Sequence, residues 1–247
     1  MNVLCFDIVI CVGPNDSNII DSMIPYTKKN IIGYRNIYLV CSDPTITIEG
    51  TITIDERIFP FSIQTFIKQF GNNNRNGWYL QQLLKIYSGN IIPNISKTYL
   101  ILDSDTHFLK PTSFIDSNNK YLYTTGSEHH KPYFEHMNKL HPMLHKSHSR
   151  SGITHHMIVN NDYLNELMKL VENHHNNRMS FWEIFIHAID PQNFSGSGAS
   201  EYEIYFNFMN IYHKNKMVIR ELNWKNDSSI NNNETYDYIS VHWYMRR

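Results

Sequence analysis

Apolar positions along the chain fall into short runs of two kinds. Residues 6–12 (FDIVICV), 37–41 (IYLVC) and 99–102 (YLIL) are near-continuous and rich in β-branched or aromatic side chains. Such runs predict strands buried on both faces. After the first, Gly13-Pro14-Asn15-Asp16 breaks the pattern, and Ile19, Ile20, Met23 and Ile24 then recur at helical spacing. Strand, helix, strand is the opening of an α/β domain with a parallel sheet. Residues 45–54 alternate Thr and Ile and read as a further strand. Ile63, Phe66, Ile67 and Phe70 mark a short amphipathic helix, and residues 78–87 (WYLQQLLKIY) a longer one.

The second half is wetter and richer in His. Strands are predicted at 121–124, 157–160, 218–222 and 238–241, and helices at 132–140, 163–172 and 181–189. Gly196-Ser197-Gly198 reads as a loop, with Ser200 the N-cap of a helix through Tyr212. There is no internal repeat and no linker long enough to split the chain, and the Asn runs at 72–74 and 231–233 read as loop tips. The expectation is one α/β domain over 1–247, a mixed and mostly parallel sheet flanked by helices.

Charge and composition narrow the function classes. Lys+Arg is 22 and Asp+Glu is 23, which excludes the broad electropositive footprint of a nucleic-acid binder. With 41% hydrophobic and 18% charged residues, the signature of disorder is absent. No apolar run approaches a membrane span. Residues 1–12 carry Asp7 and no basic leader, so they read as a strand and not a signal peptide. Three cysteines, Cys5, Cys11 and Cys41, are too few and odd in number for a disulfide framework. They suit a reducing compartment, and the expected location is cytoplasmic. The sequons at Asn94, Asn193, Asn226 and Asn233 then read as accidents of a chain holding 29 Asn and 31 Ile. That AT-rich codon bias fits an AT-rich microbe or a large DNA virus.

The sharpest chemical feature is Asp103-Ser104-Asp105, directly after the buried run 99–102. Ligands gather at the carboxyl ends of parallel strands. Two carboxylates flanking one small residue there suit Mg²⁺ or Mn²⁺, which would neutralise a diphosphate and act as a Lewis acid for its departure. The bland alternative is that Asp is simply common in turns.

The wider segment YLILDSDTHFLKP, residues 99–111, resembles the metal-binding strand and turn of GT-A-fold glycosyltransferases. Further segments extend the resemblance: NGWYLQQ at 76–82, TTGSE at 124–128, KPYF at 131–134, SGITHHM at 151–157, GSGASEYEIYFN at 196–207 and YISVH at 238–242. Their order is similar to that in a family of uncharacterised bacterial and viral proteins assigned as glycosyltransferases, over residues 5–243. The resemblance implies a single Rossmann-like GT-A domain. It also implies a metal-dependent transferase using a nucleotide-diphosphate sugar, with UDP-sugars the commonest expectation. Mn²⁺ or Mg²⁺ is the implied cofactor, held by Asp103, Asp105 and the late His242. The acceptor is expected to be a glycan, a protein or a lipid.

The remaining candidates each have a second reading. His242 ends an apolar strand and is either a metal ligand or a satisfied core histidine. Trp78, Gln81 and Lys85 share one helix face by their i, i+3, i+7 spacing. They either contact base, sugar hydroxyl and phosphate or are core and solvated charge. Ser104 joins them in the expected donor-binding set. Glu201 and Glu203 open a helix, where acidic residues are ordinary, but Glu201 is the expected acceptor-side base. Of the adjacent His155 and His156, both candidate donor contacts, one at most faces the site if they lie on a strand. The 14 His come without paired Cys or a His-Glu-x-x-His helix, so no catalytic zinc is expected. Two competing classes remain. One is a non-catalytic carbohydrate- or nucleotide-sugar-binding protein of the same fold. The other is a sugar nucleotidyltransferase, disfavoured because the loop after the first strand holds no Arg or Lys until Lys28.

Overall fold

A computed structural model describes residues 5–230 and 235–246. Residues 1–4 of the first apolar segment and the Asn run at 231–233, with its Asn233 sequon, lie outside the described residues.

The first apolar run forms strand β1 (Phe6–Val12), every residue of it buried. Helix α1 (Ile20–Asn30), the two-residue β2 (Ile31–Ile32) and β3 (Tyr34–Cys41) follow. Only the end of the Thr/Ile segment is strand: β4 is Ile52–Asp55. Residues 45–50 turn instead, because Asp43 caps a tight turn through hydrogen bonds from the Thr45 backbone N–H (2.9 Å) and hydroxyl (2.7 Å). Helices α2 (Ile63–Phe70) and α3 (Asn76–Ile91) precede β5 (Thr98–Asp103). Two short strands not read from the sequence follow the Asp-x-Asp turn, β6 (Thr106–Phe108) and β7 (Thr112–Ser113), and then comes the expected β8 (Tyr121–Thr124). The rest of the chain is α4 (Lys131–Leu140), β9 (His156–Asn160), α5 (Asn161–His174), α6 (Phe181–Ala188), α7 (Glu201–Tyr212), β10 (Met217–Arg220), β11 (Trp224–Asn226) and β12 (Tyr238–Ser240).

The main sheet has the order β4-β3-β1-β5-β9. Its first four strands are parallel, and β9 runs antiparallel to β5. The expected mixed, mostly parallel sheet is what the chain builds, with α3 packed on β1 and β5 and α5 on β9. The central strands read as unbroken apolar runs because both faces are covered. One polar side chain inside β1, Asp7, is fully buried. Burial alone would raise its pKa, but the Arg35 guanidinium (2.7 and 3.0 Å) and the Ser96 and Asn36 N–H groups hold it below the usual carboxylate range. Buried side chains from nearly all of these elements form one contiguous core.

Two consequences of this topology place the chemistry. The carboxyl ends of β4, β3, β1 and β5 share one edge, and the start of antiparallel β9 lies there too. A second small sheet, β11-β12-β6, continues directly from the Asp-x-Asp turn. Among the described residues, no helix is long and apolar enough to cross a membrane.

Candidate functional site

Strand register brings distant residues to the Asp-x-Asp turn. β12 pairs antiparallel with β6, with Ser240 opposite Thr106 and Tyr238 opposite Phe108. The ladder extends one step further, where Val241 N–H donates to the Asp105 carbonyl (2.9 Å). The next residue, His242, therefore meets the Asp105 side chain, its Nδ1 3.0 Å from Oδ2. On the other side, Leu102 pairs with His156, and the Asp103 N–H donates to the His155 carbonyl (2.9 Å). His155 adopts φ +64°. A non-glycine residue rarely takes this left-handed conformation. Here it turns the ring back so that Nδ1 lies 3.3 Å from Asp103 Oδ2. The His155 and His242 rings are 4.9 Å apart.

Asp103 is fully engaged. Its Oδ1 accepts from Lys85 Nζ (2.5 Å) and the Tyr202 hydroxyl (2.8 Å), and its Oδ2 faces His155. Burial pushes its pKa up, but the Lys85 ammonium and His155 outweigh that and hold the carboxyl far below the usual range. Lys85 is only 3% exposed and also donates to Glu201 Oε1 (2.8 Å). Burial disfavours its charge, yet Asp103 and Glu201 together raise its pKa. Glu201, at the start of α7, is buried, and its backbone N–H donates to Gln82 Oε1 (3.1 Å).

These contacts revise several expectations. Lys85 is neither a solvated charge nor a free phosphate ligand but the centre of a buried Asp103–Lys85–Glu201 triad. Glu201 is an ion-pair partner and not a free base. Asp103 is engaged at Oδ1 by Lys85 and Tyr202, and its Oδ2 has the His155 ring 3.3 Å away. Ser104, expected in the donor-binding set, donates its hydroxyl to Asp16 Oδ2 in the loop after β1 (2.8 Å). Trp78 packs at the core margin under the Arg75 guanidinium (5.2 Å), and Gln81 is half-buried beside it. The two histidines divide as adjacent residues do. His155 joins the site, whereas His156 packs among Phe108, Phe114 and Tyr238. Burial there lowers the His156 pKa to about 3. Glu203 is 1% exposed and held by the Ser151 hydroxyl (2.6 Å) and the Asn207 amide (2.7 Å).

Asp105 and His242 differ from this satisfied network. Asp105 Oδ1 is buried with no hydrogen-bond partner, an expensive state for a carboxylate oxygen. For His242, burial opposes the charged form, but the Asp105 hydrogen bond and the two nearby carboxylates raise its pKa on balance. Among the described residues, no three His, Cys, Asp or Glu side chains are grouped to hold a metal ion. A closed protein cage is therefore not formed. An unsatisfied carboxylate oxygen with an imidazole beside it does fit Mn²⁺ or Mg²⁺ shared with phosphate oxygens and water, as such ions are commonly held.

Sequence reasoning missed three participants. Tyr202 lies between the two glutamates it considered, and only the fold aims its hydroxyl at Asp103. Asp16 closes the loop after β1 on Ser104. Arg246 supplies that loop with a cation from the far end of the chain, bonding Asp16 Oδ1 (2.7 Å), the Asn15 carbonyl (2.9 Å) and the Val241 carbonyl (2.9 Å). No pattern in the sequence marks the Arg246 contact.

A comparison with curated proteins finds no match. The profile of a family described as a family of unknown function (DUF6492) matches residues 19–246. The match spans almost the whole chain, including the Asp-x-Asp turn, the triad and His242, and the chain belongs to this family, DUF6492.

Proposed function

We propose that the protein is a glycosyltransferase of GT-A type that moves a sugar from a nucleoside-diphosphate sugar, UDP-sugars first, to a hydroxyl of a glycan, protein or lipid. The observation that carries this reading is the Asp105–His242 contact at 3.0 Å, with Asp105 Oδ1 left unpartnered, at the carboxyl edge of a mostly parallel sheet. A divalent cation bound there supplies charge neutralisation for a departing diphosphate. The chain's own residues prepare that position. Lys85 and Tyr202 fix Asp103 in its ionised form, and Asp103 in turn orients the His155 ring beside His242. Register between β6 and β12 fixes the spacing of the Asp105–His242 pair. Glu201 holds Lys85 in place from α7.

The sugar nucleotidyltransferase alternative gains nothing from Arg246, whose guanidinium is committed to Asp16 and two carbonyls. A cytoplasmic setting is part of the proposal and agrees with the three free cysteines. The experiment is a thermal-shift panel of nucleotide sugars with Mn²⁺ or with EDTA. Ligand at about 100 times its Kd stabilises by about 2.7 kcal/mol, or roughly 5–10 °C for a chain of this size. At least one nucleotide sugar is expected to do this with Mn²⁺ and not with EDTA. No shift with any of them overturns the reading.

A further inference from the structure

We infer that Glu128 is the general base that accepts the proton of the acceptor hydroxyl, and that transfer inverts the anomeric configuration. This rests on the glycosyl-transfer reading above.

A base needs a free lone pair, access from solvent and a cleft position near the reacting atoms. Five carboxylates near the turn each fail one of these conditions: four are tied up by partners, and Asp105, whose Oδ1 is free, is buried away from solvent beside His242. Asp103 and Glu201 share Lys85, Asp105 faces His242, Asp16 faces Arg246, and Glu203 is sealed by Ser151 and Asn207. Glu128 meets the conditions. Its side chain is exposed, and among the described residues it has no cationic Lys or Arg partner. It follows β8 on a segment pinned at both ends. Gly126 exchanges two backbone hydrogen bonds with Ser151 (2.8 and 3.1 Å), and His130 Nε2 reaches the Ser197 carbonyl (2.9 Å). A Cβ on Gly126 would lie 2.6 Å from the Ile153 carbonyl oxygen, so this segment is held close against the chain leading to His155.

The groups that face Glu128 are His155, His130, the Tyr133 hydroxyl and, as a like charge, Glu203. His155 is also the ring that touches Asp103 and neighbours His242, so Glu128 lies within electrostatic reach of the groups at the turn. Although the residue as a whole is exposed, neighbouring protein atoms partly desolvate its carboxyl. That effect exceeds the opposing pull of the histidines and Tyr133, and its pKa is raised. Glu56 also lacks a cationic partner, but it follows β4, three strands from β5. That separation is about 14 Å at the usual strand spacing.

In the step assigned here, the acceptor oxygen forms a bond to the anomeric carbon. The bond from that carbon to the β-phosphate oxygen breaks, and its electron pair leaves with the nucleoside diphosphate. The hydroxyl proton passes to the Glu128 carboxylate and then to solvent.

The test uses water as acceptor. UDP release from UDP-glucose, UDP-galactose and UDP-N-acetylglucosamine with Mn²⁺ is measured for the full chain and for Glu128→Gln, Glu128→Gly and Glu56→Gln. Glu128→Gln is expected to release UDP at least 100-fold more slowly, with UDP affinity within twofold and an unchanged melting temperature. Added formate is expected to restore part of the activity of Glu128→Gly, which a purely structural role would not allow. Glu56→Gln is expected to match the unaltered chain, and NMR of the released sugar to show inversion. Release by Glu128→Gln within threefold of normal, or retention of configuration, overturns the inference and leaves the transferase reading standing. An unaltered chain inactive on every donor overturns the transferase reading, and the base assignment with it.

Discussion

Replacing Lys85 with Met keeps most of the side-chain volume and removes the one cation between Asp103 and Glu201. At an effective dielectric of about 20, contacts of 2.5 and 2.8 Å each carry roughly 6 kcal/mol of attraction. Desolvation of three buried groups offsets much of that. Breaking such a cluster by removing one partner nonetheless costs about 3–5 kcal/mol, because it leaves uncompensated buried charge. For a chain of this size the melting temperature at pH 7.5 should fall by about 6–20 °C. The pH dependence has a definite sign. In the unaltered protein the Asp103 pKa is depressed, so its stabilisation is present above the unfolded value of about 3.9 and fades as pH falls through the folded one. Without Lys85, burial raises the folded pKa of Asp103, so its penalty is greatest near neutrality and shrinks as it protonates. The difference between Lys85→Met and the unaltered chain, measured by urea unfolding, should therefore narrow from pH 7.5 to pH 4.5. Lys85→Met/Glu201→Gln should be more stable at pH 7.5 than Lys85→Met alone. A deficit below about 1 kcal/mol at pH 7.5, or one that widens in acid, would refute the triad argument.

Two further outcomes are expected. Gly152→Ala places a Cβ 2.5 Å from Phe206 Cβ on the buried face of α7, so it should destabilise by about 1–3 kcal/mol in urea unfolding; a neutral result would show that α7 can shift freely. Burial lowers the His136 pKa to about 4 from 6.5, so the unfolded chain takes up a proton that the folded chain refuses. Stability should fall as pH drops from 6.5 toward 4, by on the order of 3 kcal/mol for this group, and His136→Gln should flatten that slope.

The strands of the main sheet were legible where burial on both faces leaves an unbroken apolar run, as in β1 and β5. The Thr/Ile alternation at 45–54 misled because a capped Asp43 turn competes with extension and leaves only Ile52–Asp55 paired. The antiparallel direction of β9 leaves no mark in its apolar pattern. At the site, the Asp-x-Asp turn was visible from its place after a buried strand. The meeting of Asp105 and His242 depends on β6–β12 register and was reached only through a family resemblance. Lys85 illustrates the limit most clearly. Its helix-face neighbours were readable, but its burial between carboxylates from β5 and α7 is a property of three elements packed together. Glu128 was overlooked for the converse reason, since its significance lies in partners it lacks.

The central claim is that Asp105 and His242 together bind a divalent ion that carries a nucleoside diphosphate. Calorimetric titration of UDP into the unaltered chain, His242→Ala, Asp105→Ala and the double variant, with Mn²⁺ and with EDTA, tests it most directly. The account predicts Mn²⁺-dependent binding, lost in EDTA and weakened in each single variant. The double variant should lose much less than the sum of the two, because both residues act through one site. Equal UDP affinity with Mn²⁺ and with EDTA, or full Mn²⁺-dependent binding by His242→Ala, would contradict it.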